Sequence, residues 1–416
     1  MSEKMKTDPA AAVKRPLGLY LHIPFCKRKC LYCDFLSAPA TDSVIAAYVD
    51  GLCLQLEAEA PNYREYSVRT IFFGGGTPSL LTVLQMQRLM DEIRLHFDVS
   101  EDVEITMESN PGTLDYEKLK GYRQAGINRL SMGLQSACDE ELAALGRIHS
   151  YSDFLDNFKA ARKAGFSNIN VDLMSALPGQ TLEGWQDTLS RVAALSPEHI
   201  SAYSLIIEEG TPFWERYGEE NGAAGRSWPA LPGEDEERLM YERTEQILEG
   251  YGYHRYEISN YAKEGKECRH NKSYWQRIDY LGLGVGAASL AKDVRWKVTS
   301  DLKAYLGDPA GCLKEELQPL TRAERMEEFM FLGLRMTEGV CLSDFEKQFG
   351  IGMKAVYGPV LERFVKEGLL VYYNEEKRLK LTPKGVDVSN WVLAEFLLEE
   401  DAAEKYNSAQ ADGVTA

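Results

Sequence analysis

CKRKCLYCDF (residues 26–35) sets three of the chain's eight cysteines at C-x3-C-x2-C spacing, with Phe35 two positions after the last of them. LGLYLHIPF (17–25), just before it, reads as a buried strand entering a loop, which puts the thiols at the carboxyl end of a strand. Outward from there, TDSVIAAYVDGLCLQLEAEA has helical spacing and RTIFFGGGTPS is a strand that stops at glycines. LTVLQMQRLMDEIRLHF is helical, VEITMESNPGT is a strand ending in a turn, and LDYEKLKGYRQAG is a helix closed by glycine. INRLSMGLQS, NINVDLMSALPG and HISAYSLIIEEG continue the strands, with helices between them. Such alternation through residue 207 predicts parallel βα units. Right-handed crossovers roll such units into a barrel. The alternation supports six units and not eight, hence an α/β fold built on a partial (βα)6 TIM-like barrel.

The rest of the chain divides by composition. Residues 1–16 are polar and read as a flexible N-terminus, and 210–233 are rich in Gly, Pro and charge, as in a loop. A helix at 234–250, the strand HRYEISNYA and a hairpin region from GLGVGAASL and RWKVTS follow. The barrel and an extension carrying CRHNKSYW (268–275) are expected over 17–300. Two helices and the hairpin GLLVYYNEEKRLKLTPKG predict a small winged-helix-like α+β domain over 310–395, with a disordered polar tail at 396–416. The glycines of GLGVGAAS follow no βαβ start, so they read as close backbone packing or as lining of the mouth.

The net charge of −17, from 47 basic and 64 acidic residues, disfavours extended contact with a phosphate backbone, so no nucleic acid is expected as partner. The N-terminus has charge but no apolar run behind it, unlike a signal peptide. No stretch of 18 apolar residues is present, so no membrane span is expected. The expectation is a cytoplasmic protein. Cys53, Cys138, Cys268, Cys312 and Cys341 are scattered, as buried thiols are in a reducing compartment.

Three thiolates fit a [4Fe–4S] cluster, which normally takes four, and leave one iron open. An open metal position admits a small molecule. S-adenosylmethionine suits it, because its amino and carboxylate groups chelate and its sulfonium accepts an electron from the cluster. A structural zinc is the plainer alternative; its fourth ligand would be Asp34, or Cys53 or Cys268 reaching in from afar. Further groups stand at predicted strand ends: the glycines of FFGGGTPS, Glu108, Gln135 and Asp172. In a βα barrel these ends share one mouth. Carboxylates and amides suit ribose hydroxyls and a sulfonium, and Arg147 offers a fork to a carboxylate. Singly, each reads equally well as a cap or turn residue.

Taken in order, YLHIPFCKRKCLYCDF, FFGGGTPS, ESNPGT, GLQS…LGRIHS, VDLMSALPGQT and HISAYSL resemble the radical S-adenosylmethionine superfamily, and within it the oxygen-independent coproporphyrinogen III oxidase group, over residues 17–390. The decarboxylating oxidases carry a fourth cysteine where this chain has Phe35. CDF together with CRHNKSYW is similar to the heme-chaperone (HemW) branch, with its His-Asn-x-x-Tyr-Trp motif. The resemblance implies that Cys26, Cys30 and Cys33 hold the cluster. It assigns Tyr20, Gly75 and Glu108 to cluster and cofactor, and Tyr32, Gly76, Thr77, Gln135, Arg147 and Asp172 to S-adenosylmethionine.

His270 offers an imidazole, the usual axial ligand of heme iron, with Cys268 as a weaker second candidate. Tyr274 and Trp275 offer flat faces to a porphyrin. Equally, His270 and Asn271 hydrogen-bond a loop and Trp275 is core. His22 reads as an orienter of the cysteine loop. The function implied is a heme chaperone that binds heme, carries a cluster and S-adenosylmethionine, takes electrons from a donor and serves a respiratory acceptor hemoprotein. The alternative is radical decarboxylation of coproporphyrinogen III. Radical modification of RNA, and DNA binding by the winged-helix-like end, are disfavoured by the acidic balance.

Overall fold

The computed structural model describes residues 14–218, 228–311, 313–375 and 377–408. Most of the N-terminus expected to be flexible, part of the 210–233 loop and the last eight residues of the expected tail lie outside these.

Six parallel strands form the centre: β1 (Arg15–Ile23), β2 (Tyr66–Gly75), β3 (Val99–Ser109), β4 (Arg129–Gln135), β5 (Ile169–Ser175) and β6 (His199–Ser204). Between them run α1 (Asp42–Glu59), α2 (Val83–His96), α3 (Tyr116–Ala125), α4 (Asp139–Ala144), α5 (Tyr151–Lys163) and α6 (Leu182–Ala194). The chain is thus a mixed α/β fold with the expected six βα units. Side-chain alternation sorts each strand into two faces. Leu19, Leu21, Ile71, Phe73, Ile105, Met107, Leu130, Met132, Val171 and Ile200 are fully buried or nearly so, in one core that includes residues of the surrounding helices. The opposite face is polar to an unusual degree: Thr70, Glu104, Thr106, Glu108, Arg129, Ser131, Asn170, Asp172, His199 and Ser201. Apolar burial on the helix side stabilises the scaffold, at roughly 25 cal/mol per Å², and frees the inner face for chemistry.

Beyond β6 come α7 (Trp214–Tyr217), α8 (Glu234–Gly250), β7 (His254–Arg255), β8 (Asn260–Ala262) and α9 (Arg269–Trp275). HRYEISNYA, expected to be one strand, is divided between β7 and β8, which pair antiparallel. Then follow β9 (Tyr280–Leu283), β10 (Ala288–Ala291), β11 (Val294–Val298), α10 (Leu302–Gly307) and β12 (Lys314–Pro319). The expected hairpin is β10–β11. Its companion β9 instead runs parallel beside β1 and extends the sheet. The full order is β12-β11-β10-β9-β1-β2-β3-β4-β5-β6-β8-β7. The GLGVGAAS glycines are places of close approach: a Cβ on Gly282 would lie 2.2 Å from the Ala288 carbonyl oxygen, and one on Gly286 would lie 2.6 Å from Leu36.

The C-terminal part has its own core and a sheet ordered β13-β15-β14, from β13 (Val340–Cys341), β14 (Leu370–Tyr373) and β15 (Arg378–Leu381). Around it are α11 (Arg322–Gly333), α12 (Leu342–Phe349), α13 (Met353–Lys366), α14 (Pro383–Asp387), α15 (Ser389–Ala394) and α16 (Glu400–Ser408). Helices α12 and α13 followed by the β14–β15 hairpin form the winged-helix-like pattern. The tail departs from expectation at α16, because Tyr406 is buried in this second core and orders its helix. Glu328 of α11, almost fully buried, joins the two parts by accepting from Arg277 at 2.6 Å and Arg295 at 2.8 Å. Among the described residues no helix is long and apolar enough to cross a membrane.

Candidate functional site

The cysteine loop leaves β1 and is pinned at several points. His22 bonds the Tyr20 hydroxyl through Nδ1 at 3.0 Å and the Leu36 carbonyl through Nε2 at 2.9 Å, the orienting role expected of it. Leu31 N–H donates to Leu145 O and Cys33 N–H to Cys30 O. Cys26, Cys30 and Cys33 are half-buried, and none of the seven described cysteines is in a disulfide. Thr77 Oγ1 donates to Cys26 Sγ at 3.4 Å, and Arg147 Nη1 donates to Cys30 Sγ at 3.5 Å. Burial, more than the neighbouring thiols, pushes the Cys33 thiol up.

Arg147 gathers the strand ends. Its Nη2 donates to Asn110 Oδ1 at 2.7 Å and to the Gly133 carbonyl at 2.5 Å, while Asn110 donates to Thr77 at 2.9 Å. A Cβ on Gly133 would lie 2.9 Å from Asn110 Oδ1, 3.2 Å from Gln135 and 3.4 Å from Arg147, so a glycine keeps this junction open. Gln135 closes β4 at φ 76°, a left-handed conformation that costs a non-glycine residue about 1–3 kcal/mol and concentrates at working sites. Tyr32 packs its ring toward Phe213, and burial raises its phenol. Lys27, Cys30, Thr77, Asn110, Arg147 and His149 line a shallow cleft at this mouth.

A second group lies on the inner face. Gly75, at φ +108°, donates its N–H to Glu108 Oε2 at 3.0 Å. Gly76 donates its own N–H to the Ile23 carbonyl at 2.9 Å. Burial first, and the neighbouring Asp172 second, push the Glu108 carboxyl up to about 8. Asp172 accepts from Ser131 at 3.0 Å, Asn170 at 2.7 Å and Tyr203 at 3.2 Å, and burial raises it too. The proposed cluster and cofactor residues lie on the inner face or in the loops at the carboxyl ends of β1 to β5, except Arg147, which reaches Asn110 and Gly133 from the α4–α5 connection.

The donor set fits a thiolate cluster. Thr77 and Arg147 are the kind of sulfur-directed donors that tune metal-bound thiolates, and Arg147 Nε is buried with no partner. The candidates for a fourth zinc ligand stand apart from the loop's packing. Asp34 is exposed, and Cys268 Sγ donates to Glu104 at 3.6 Å, low on β3. When bound, the cluster and S-adenosylmethionine supply one-electron chemistry at the sulfonium. The chain's own residues fix the loop, direct donors at sulfur and present a Glu108 carboxyl suited to accept from an amino group.

The CRHNKSYW motif lies elsewhere. Glu104 accepts from the N–H groups of Arg269 and His270, both at 3.1 Å, and so anchors the start of α9. His270 is 1% exposed. Its Nδ1 bonds Thr70 Oγ1 at 2.8 Å, its Nε2 bonds Tyr274 OH at 2.9 Å, and its ring stacks on Phe72 at 5.0 Å. Burial and the Arg129 charge bring it down to about 3. In this structure both ring nitrogens of His270 are bonded and the ring is enclosed, the hydrogen-bonding role that stood beside the iron-ligand reading. Trp275 is capped by Arg335 at 4.4 Å rather than open to a porphyrin. Tyr274 is half-buried, its ring edge-on to Tyr280. Cys268 is buried and its thiol is pushed up to about 12 by burial, which suits a structural role.

Sequence reasoning missed Asn110, although it lies in ESNPGT, and Glu104 and Arg129. For Glu104 and Arg129 the signal was a full charge at a polar position of an alternating strand, in VEITMES and NRLSMG.

The comparisons agree with this geometry. A radical SAM superfamily model matches residues 20–192, and a HemN C-terminal domain model matches 320–388. The heme chaperone HemW of Bacillus subtilis is 37% identical over 383 residues, which cover 91% of this chain and 99% of that protein. The chain belongs to the HemW family. A second HemW, from Lactococcus lactis subsp. lactis, is 35% identical and covers 93% of this chain and 99% of its own length. The solved structure of coproporphyrinogen III oxidase (HemN) from Escherichia coli, a radical SAM enzyme, superposes with TM-score 0.80 at 26% identity. That match covers 92% of this chain and 90% of the oxidase. The radical SAM domain of this HemW-family chain implies a [4Fe–4S] cluster and S-adenosylmethionine.

Proposed function

We propose that this chain is a heme chaperone. It binds heme, carries a [4Fe–4S] cluster on Cys26, Cys30 and Cys33 with S-adenosylmethionine beside it, and delivers heme to an acceptor hemoprotein of respiration. An electron donor serves the cluster, and the work is done in the cytoplasm, where free thiols persist. Tyr20, Tyr32, Gly75, Gly76, Thr77, Glu108, Gln135, Arg147 and Asp172 receive S-adenosylmethionine. One observation carries the choice within the wider group: Phe35, 67% exposed, stands where the decarboxylating oxidases have a fourth cysteine. The full-length kinship to proteins named heme chaperones supports the same reading.

The test is anaerobic reconstitution with iron and sulfide, then heme titration of the wild type and of Cys26→Ala, Cys30→Ala and Cys33→Ala. The expected result is saturable uptake of one heme per chain that survives loss of the cluster. Absence of a saturable Soret change in the wild type ends the proposal. The likeness to HemN keeps one competitor in view. Release of carbon dioxide from coproporphyrinogen III under reducing, anaerobic conditions would favour decarboxylation instead.

A further inference from the structure

Arg129 opens β4 and faces the inside of the barrel, in register with Thr106 of β3. It is 2% exposed. Its Nε is buried without a hydrogen-bond partner, and so is Thr106 Oγ1. Among the described residues no hydrogen bond or ion pair reaches the guanidinium. The other charged side chains buried to this degree are all engaged. Glu59 holds Lys314, Glu104 caps α9, Glu257 takes Ser259 and Asn260, and Glu328 takes two arginines. Arg129 is the exception.

A counter-charge role explains only part of this. Glu104 and Asp172 act on Arg129 through space, but an arginine placed for balance alone would fork onto one of them, because bidentate pairing is its strongest contact. Buried donors left unmet are costly, and native proteins rarely retain them without a ligand or a functional reason. Two orphaned groups side by side, one cationic and one hydroxyl, match an incoming carboxylate. Glu104 and Asp172 oppose a second anion there, so the bond to the guanidinium itself has to hold it.

We propose that Arg129, with Thr106 beside it, receives a carboxylate of the ligand that enters the barrel. On the heme reading above, on which this rests, that carboxylate is a porphyrin propionate. Arg129 and Gln135 are the first and last residues of β4, about 20 Å apart along an extended strand, and the cysteine loop belongs to the Gln135 end. Glu108, level with Ser131, lies only about 7 Å above Arg129, so the measurement of S-adenosylmethionine affinity below is what separates the two carboxylates.

The experiment is a cycle on the full chain. Heme and heme dimethyl ester are titrated into wild type, Arg129→Gln and Arg129→Lys by Soret change, and S-adenosylmethionine affinity is measured by equilibrium dialysis. The expected result is that esterification weakens wild-type binding about tenfold or more, the scale of one lost charge-assisted bond. It has no further effect in Arg129→Gln, and S-adenosylmethionine affinity is unchanged. Arg129→Lys keeps the charge but not the fork, so it shows an intermediate ester effect and serves if Arg129→Gln loses its circular dichroism. An equal ester penalty in wild type and variants overturns the proposal, as does no penalty in wild type. Loss of S-adenosylmethionine binding with heme affinity intact gives the carboxylate to that ligand and overturns it too. Failure of wild type to bind either porphyrin sinks the heme reading itself, a result separate from these.

Discussion

Glu104→Gln should unfasten the CRHNKSYW segment without unfolding the barrel. The buried carboxylate of Glu104 takes the N–H groups of Arg269 and His270 at 3.1 Å each, and the thiol of Cys268 at 3.6 Å. Hydrogen bonds to a charged group contribute about 1.5–3 kcal/mol each. Glutamine keeps one acceptor oxygen, but its amide turns N–H against backbone N–H. At least one bond is lost, the other weakens, and one of the two carboxylates acting on Arg129 disappears. The expected cost to the closed state of α9 is therefore about 2–4 kcal/mol. Cys268, fully buried at the start of the helix, reports the opening directly. Thiol labelling under native conditions, resolved cysteine by cysteine by mass spectrometry, should accelerate at Cys268 by roughly 30- to 1,000-fold. Cys53, buried on α1, should keep its wild-type rate. Acceleration below about threefold at Cys268 would refute the reasoning, because Glu104 would then not be what holds the motif in place.

Other outcomes follow from the same geometry. Glu108, at about 8, accepts most strongly from the chelating amino group once ionised, so S-adenosylmethionine affinity should be lower below about 8 and level off above it. Asp172→Asn removes a like charge and should move that break to lower pH; a flat profile by equilibrium dialysis counts against the assignment. The ligand-free fold should lose stability as pH rises from Glu108's ordinary 4.5 toward 8, since the folded state holds the extra proton across that window; urea midpoints at several pH values in wild type and Glu108→Gln check the sign. Arg147→Lys cannot serve Cys30, Asn110 and Gly133 at once, and iron retained after desalting should drop while far-ultraviolet circular dichroism is unchanged. Glu328→Ala leaves Arg277 with Asp293 alone and turns Arg295 to solvent, and should cost about 1–3 kcal/mol, seen as easier proteolysis between the two parts of the chain.

Most of the barrel was legible because each of its six strands alternates apolar and polar residues and ends in a turn signal. That pattern is local, and period 2 fixes which side chains face the helices. The cysteine loop was legible for a similar reason, since its spacing is contiguous. The edges were not. β9 pairs with β1 across more than 250 residues of chain, and nothing in YLGL says whether it will run parallel or fold back. α16 looked polar enough for disorder, and only the pocket that receives Tyr406 orders it. His270 was the instructive case. Imidazole beside aromatics read equally as a ligand or as a bonded strut, and the residues that bond it here, Thr70, Phe72 and Glu104, come from distant strands that the motif alone does not show. Arg129 carried a signal that went unused, a full cation on the inward-facing side of an alternating strand.

The sheet begins on β12 and ends on β7, and these two edges do not pair with each other. A hydrogen-bonded cylinder has a circumference fixed by its ladder, so admitting a rigid disc would mean tearing backbone bonds. Here the wall has a seam. The C-terminal part straps that seam from side to side: Glu328 holds Arg295 of β11, and Thr337 N–H donates to the Tyr256 carbonyl just past β7, so the wall is closed there by α11 and the residues after it and not by a ladder of strands.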